Sequence, residues 1–312
     1  MGMKIISAKE FFSNISDQDT EDLEVDQDEY SVWLTTGKEY SPAIKLKVKK
    51  SLPGGVYRMA EDPRTGEVYI TPNQINTDDL YTFSDSMTEK ILKEVEDFWA
   101  REDVYKKYNF VHKRGILLVG PAGNSKTSTI NLLIQQLVEK KDAIIFLVNN
   151  IKDFVVISQG LSNIVRKIEP HRPIITIIED IDQLLHLLGS DADLLDFLDG
   201  KKSIDNHLVI MTSNDTSELS SALLRPSRVD MQFILESPNE EIRKEFFQKK
   251  GISEDQLDSY NKKTEGMSFA QLKEVFISTC ILGKDLDTTV AQILNPLETK
   301  NYLIKTDNKI GL

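Results

Sequence analysis

Residues 115–127 read GILLVGPAGNSKT, and no other stretch of the chain narrows its fold so far. GILLVG is an almost unbroken apolar run of strand length, the pattern of a strand covered on both faces in a parallel sheet. The glycines and the proline end that strand, and Ile130, Leu133, Ile134, Leu137 and Val138 then recur with helical spacing. A glycine-rich loop held between a buried strand and a helix N-terminus aims successive backbone N–H groups, and the positive end of the helix dipole, at one point. Such a loop is a cradle for an anion. An ordinary glycine-rich turn is the competing reading, and it leaves unexplained the Lys126–Thr127 pair, which supplies a cation and a hydroxyl at the offsets a phosphate chain needs.

A second strand pattern, PIITIIEDID over residues 173–182, ends in acidic residues at the carboxyl edge of the same sheet, where parallel sheets open a ligand crevice. Together the two segments read as the Walker A and Walker B elements of a P-loop nucleoside triphosphatase, with ATP as ligand and Mg²⁺ as its counter-ion. The candidate nucleotide-binding residues are Gly120, Pro121, Ala122, Gly123, Asn124, Ser125, Lys126, Thr127 and Ser128. Of the two carboxylates, one should hold the hydrated cation and the other orient the attacking water. Position along the strand assigns Glu179, with Thr127, to the metal and Asp180 to the water; on sequence alone the roles can be exchanged, and acidic residues after a strand also serve as plain helix caps. HLVIMTSND, residues 207–215, closes another buried strand with Asn214 at its tip, placed to hydrogen-bond the water or the terminal phosphate. ALLRPSRVD, residues 222–230, carries Arg225 and Arg228 three apart. They are either surface arginines or, between neighbouring protomers, fingers that stabilise transition-state charge. One position departs from the usual loop: Ser125 stands where glycine normally precedes the lysine, and its Cβ is expected to need an unusual backbone angle to fit against phosphates.

GPAGNSKT, IIEDID, MTSN, LLRPSRVD and TEGMSFAQL stand in the order and spacing of the AAA+ ATPases, and the chain resembles that family over residues 89–282. Within the family, FWAREDVYKKYNFVHKRGILLVGPAG, the Glu-Asp order of the second element and LLDFLDG look most like the clade of the mitochondrial Rieske-protein translocase. The resemblance implies an α/β fold, a P-loop NTPase parallel sheet flanked by helices with a C-terminal helical lid. It also implies a homo-hexamer or heptamer with Arg225 and Arg228 acting in trans, and hydrolysis coupled to remodelling of a protein client. The translocases' membrane-spanning segment has no counterpart here, and TEGMSFAQL has no arginine at the sensor-2 place. Many AAA+ unfoldases carry an aromatic pore-loop residue after the second strand; in NNIKDFVVISQG, residues 149–160, Phe154 is the one aromatic and stands too early. Threading of an unfolded chain is not expected.

Around this centre the chain divides, on its patterns, into an N-terminal module (residues 1–84), an α/β domain (85–237) and a helical lid (238–312). Residues 16–29, SDQDTEDLEVDQDE, are too polar to pack alone. AIKLKVKK, residues 43–50, alternates like a half-buried strand, and residues 56–71 read as a hairpin with Gly66 at the tight position, so the N-terminal module is expected to be small and β-rich. Ser86 and Glu89 stand in capping-box spacing and open a helix. Further strands are expected at AIIFLV and HLVIMTS, and helices at residues 161–168, at LLDFLDG and, in the lid, at 240–250, 254–260 and 269–282. The single cysteine, Cys280, falls in an apolar helical pattern and is expected to pack; four scattered histidines have no metal-ligand spacing. No apolar run is long enough to span a bilayer, so a cytoplasmic place is expected. The net charge of −12 counts against a nucleic-acid partner, although the Lys45–Lys49 strand keeps a DNA-handling ATPase as a weak third reading. The leading alternative is a nucleotide-gated assembly or scaffold protein that hydrolyses little.

Overall fold

A computed structural model describes residues 30–35, 40–46, 51–74, 83, 86–199, 204–217 and 219–295. The chain forms two compact units, residues 1–53 and 54–312. In the first, β1 (Tyr30–Thr35) and β2 (Tyr40–Leu46) make an antiparallel ribbon, with Thr35 opposite Tyr40 and Tyr30 opposite Leu46. The strand expected over residues 43–50 thus starts three residues earlier; residues 47–50 and the acidic segment 16–29 lie outside the described residues.

The second unit is built on a seven-stranded sheet. Its strands are β3 (Gly55–Glu61), β4 (Val68–Pro72), β5 (Lys113–Val119), β6 (Ile144–Val148), β7 (Ile174–Ile178), β8 (His207–Ser213) and β9 (Met231–Ile234), in the order β4-β3-β6-β7-β8-β5-β9. Every neighbouring pair is parallel except β3 with β4. β7 and β8 are buried at every position, which is why their sequences read as unbroken apolar runs rather than as alternation.

The β3–β4 hairpin corrects the boundary expected after residue 84. Its turn carries Gly66 at φ 71°, as the pattern requires, but β3 pairs in parallel with β6, Val56 opposite Ile145, and so forms part of the main sheet. Burial of Val56, Tyr57 and Met59 on that sheet explains the pairing. Alternation tells that a strand has an inner face, not which neighbour covers it.

On the faces of the sheet lie α1 (Met87–Trp99), α2 (Glu102–Lys107), α3 (Lys126–Lys141), α4 (Ile151–Gly160), α5 (Ile181–Leu188) and α6 (Ala192–Asp199). α1 starts where its capping residues predict: Ser86 Oγ accepts the Glu89 N–H at 3.3 Å. Ile91 and Val95 of α1, Ile130 and Leu133 of α3, and Ile116 and Leu118 of β5 share one core. α4 begins ten residues before the helix expected at 161–168. It runs on through a π-helical turn, Leu161–Val165, to a last turn, Arg166–Ile168. Phe154 is 1% exposed, its ring edge-on to Phe197 at 5.7 Å.

Past Pro238 the described residues hold only helices: α7 (Glu240–Lys249), α8 (Glu254–Lys263), α9 (Phe269–Phe276) and α10 (Leu286–Leu294), the last unexpected. They enclose a second core of Phe247, Leu257, Met267, Leu272 and Val275. Phe83 joins it from before α1, its ring stacked on Phe269 at 5.2 Å. α9 passes into a π-helical turn, Ile277–Ile281, whose extra residue rotates the apolar face. Ser278 therefore points inward, and Cys280, expected to pack, is exposed.

Candidate nucleotide cleft

A cleft of about 900 Å³ opens at the carboxyl ends of the central strands. Residues 122–129 form one wall, Glu179, Asp180, Thr212 and Asn214 the floor, and Ile242, Phe246, Phe269 and Ala270 of the lid the opposite side. Gly120 and Pro121 do not line it; their carbonyls instead receive the Lys126 ammonium, at 2.5 and 3.2 Å.

Of the helices that begin at this cleft, two begin abnormally. Ser125, before α3, has φ 63° and Asp180, before α5, has φ 48°; neither side chain caps its helix. The plain helix-cap reading of Asp180 is thereby excluded. Its left-handed backbone is held by Thr212, whose Oγ1 accepts the Asp180 N–H at 2.8 Å. In the loop, Asn124 N–H donates to Pro121 O, while the N–H groups of Ala122, Gly123 and Ser125 take no backbone acceptor among the described residues. Those free donors beside the α3 N-terminus make an anion site.

Lys126 is 8% exposed. Its third contact, 2.8 Å to Asn214 Oδ1, starts a relay, because Asn214 Nδ2 donates to Asp180 Oδ1 at 3.3 Å. Burial pushes the Lys126 ammonium below its ordinary pKa, and the carboxylates of Asp180, Asp182 and Glu179 oppose that shift. Among the described residues the ammonium has no carboxylate in direct contact, which leaves an anion room to complete its neutralisation. On the other side of the floor, Thr127 Oγ1 donates to Glu179 Oε1 at 2.8 Å. A hydroxyl and a carboxylate adjoining an anion cradle are the hard oxygen donors that Mg²⁺ takes beside phosphate and water.

The lid touches the loop directly. Ala270 N–H donates to Gly123 O at 3.2 Å, and Gly123, at φ 84°, lies so near α9 that a Cβ would come within 2.9 Å of Ser268 Oγ. A second opening of about 240 Å³ shares Glu179 and Asp180 and is bounded by Asn149, Asn150 and Gln183.

Arg225 and Arg228 line neither opening. Their loop is seated on β5 by a reciprocal pair, Gly115 N–H to Asp230 Oδ2 and Asp230 N–H to Gly115 O, each at 2.8 Å. Arg228 is engaged within its own chain, donating to Ala222 O at 2.7 Å and lying 3.8 Å from Asp199. Arg225 is exposed, and its guanidinium has no partner among the described residues.

Residues 122–128 of the loop, Glu179, Asp180 and Asn214 are thus gathered in one cleft, while Gly120, Pro121 and the two arginines are not. Sequence reading missed Thr212, whose signal was its place just before the strand tip in MTSN, and the lid side of the cleft, which lies more than a hundred residues from the loop in sequence.

Residues 116–237 match the family model described as ATPase family associated with various cellular activities (AAA). Over this segment the chain is similar to that family. Its relatives include an "AAA ATPase forming ring-shaped complexes" of Bifidobacterium dentium, 29% identical over 49% of this chain and 33% of the relative. A "Proteasome-associated ATPase" of Catenulispora acidiphila is 27% identical over 67% of this chain and 41% of the relative. The "Probable mitochondrial chaperone bcs1" of Schizosaccharomyces pombe is 27% identical over 60% of this chain and 43% of the relative. The chain thus spans less than half the length of these relatives.

Proposed function

We propose that this protein binds ATP with Mg²⁺ and hydrolyses it, assembles into a homo-oligomeric ring, and couples turnover to remodelling of a protein partner. The observation that carries the proposal is the relay Lys126–Asn214–Asp180, set between the free loop N–H groups and the Thr127–Glu179 pair. In this reading Lys126 and the loop neutralise the phosphates. Thr127 and Glu179 hold the metal, and Asp180 with Asn214 orients the attacking water. A ring of six or seven subunits, with Arg225 reaching the neighbour's phosphate, is favoured by that side chain's exposure and by the relative named for ring-shaped complexes. Among the described residues no helix is long and apolar enough to cross a membrane, and a cytoplasmic site of action belongs to the proposal.

Steady-state phosphate release by the wild type, Lys126→Ala and Asp180→Asn tests the enzyme reading: both variants are expected to lose turnover, and equal rates in all three would sink it. The second reading, a nucleotide-gated assembly protein with little hydrolysis, draws support from Phe154. Buried against Phe197, it is unable to grip a threaded chain. That reading requires nucleotide-dependent rings with negligible turnover, and a brisk partner-stimulated rate excludes it.

A further inference from the structure

Among the described residues six non-glycines have positive φ, and four of them, Asn109, Asp142, Asp180 and Asn206, are of the types that tolerate the left-handed region best. Ser125 is an exception, and it stands in the nucleotide loop. Left-handed backbone at a residue with a Cβ persists where the surroundings impose it, and such outliers gather at functional sites. The Ser125 hydroxyl also has no hydrogen-bond partner among the described residues. At other helix starts, Ser86, Asn150, Asn239, Ser268 and Asp285 adopt extended backbone and accept an N–H of the first turn. Among the described residues, Ser125 and Asp180 are the left-handed residues that precede a helix, and neither side chain caps it. Both line the cleft. A serine diverted from capping, set one residue before Lys126 in the cradle wall, presents a free O–H donor beside the loop's free N–H groups.

We infer that Ser125 is a direct ligand of the nucleotide's phosphate chain, its hydroxyl donating to a phosphate oxygen where the common glycine offers only its backbone N–H. The inference rests on the proposed ATP site. It recasts the departure from glycine: the side chain adds a charge-assisted hydrogen bond, and the left-handed backbone is what aims it into the cleft.

The test is calorimetric titration of a slowly hydrolysed ATP analogue, with Mg²⁺, into the full chain and its Ser125→Ala and Ser125→Gly variants. Alanine keeps the Cβ and the strained backbone while removing the hydroxyl; glycine removes all three. Loss of one charge-assisted hydrogen bond should weaken binding about tenfold in both variants. Thermal unfolding without nucleotide should place Ser125→Gly no lower than the wild type, so that its weaker binding is not a folding defect. Either variant binding as tightly as the wild type overturns the inference. A wild type that does not bind the analogue overturns the ATP site itself, a distinguishable failure.

Discussion

At the scale of single residues, this chain keeps polar groups inside its sheet and uses each for one purpose. His207 opens β8 fully buried, hydrogen-bonded to Thr176 Oγ1 at 2.9 Å. Burial first, then the nearby Arg166 and Lys113 charges, lowers its pKa from the ordinary 6.5 to about 3. Between those values the unfolded chain binds a proton that the folded chain refuses. The stability involved is therefore complete above about pH 6.5 and is lost as pH falls toward 3, at up to about 1.4 kcal/mol per pH unit. Urea unfolding from pH 7 to 4 should show a shallower decline for His207→Gln than for the wild type; equal slopes would refute the neutral, buried imidazole. At the cleft, most of the residues that come together were legible in sequence because the loop and strand-end positions follow from one strand–loop–helix pattern. The backbone of Ser125 was anticipated in part. The αL turn of Asp180 was not, since it depends on Thr212 from another strand.

Among elements, glycines mark where chain segments touch too closely for a Cβ. A Cβ on Gly115 would stand 1.8 Å from Arg228 O, in the loop that Asp230 fastens to β5. Gly115→Ala should cost about 1–3 kcal/mol of stability by overpacking. It should also reduce ATP turnover more than ATP affinity, because the displaced loop carries the arginines and not the phosphate cradle; unfolding curves alongside binding titrations would check both halves. Arg166 ties a different junction, donating to the carbonyls of Glu169, Arg172, Asp205 and Asn206. Its truncation to alanine should lower the unfolding midpoint by an amount corresponding to about 2–4 kcal/mol, through carbonyls left unpaired. The parallel strands were readable from their apolar runs and the lid from its helical periodicity. Less was readable where an element's surroundings decide its fate. α4 starts early because Asn150 caps it, accepting the N–H groups of Lys152 and Asp153. Its continuity through Gly160 depends on Met59 of the hairpin packing there, where a Cβ would lie 2.4 Å from the Met59 sulfur.

For the whole molecule, the proposed function depends on parts that meet only in the folded and assembled state: loop against lid, and Arg225 against a neighbour. Arg225→Ala should leave stability within about 0.5 kcal/mol, since no partner among the described residues is lost. It should lower turnover of the assembled protein by about a thousandfold, the scale of an arginine finger. Arg228→Ala should by contrast destabilise the protomer, because Ala222 O and Asp199 lose their partner. Rings mixed from Arg225→Ala and Asp180→Asn subunits should recover part of the activity, as interfaces with one intact half each are formed; no recovery would argue that the arginine acts elsewhere. The most direct test of the account is titration of ATP with Mg²⁺ into the wild type and Lys126→Ala. The arrangement of Lys126 predicts saturable binding by the wild type and an affinity lower by about a hundredfold or more in the variant, as expected for removing a partly buried cation from a phosphate site. Unchanged affinity in Lys126→Ala would contradict it and place the nucleotide, if it binds, outside this cleft.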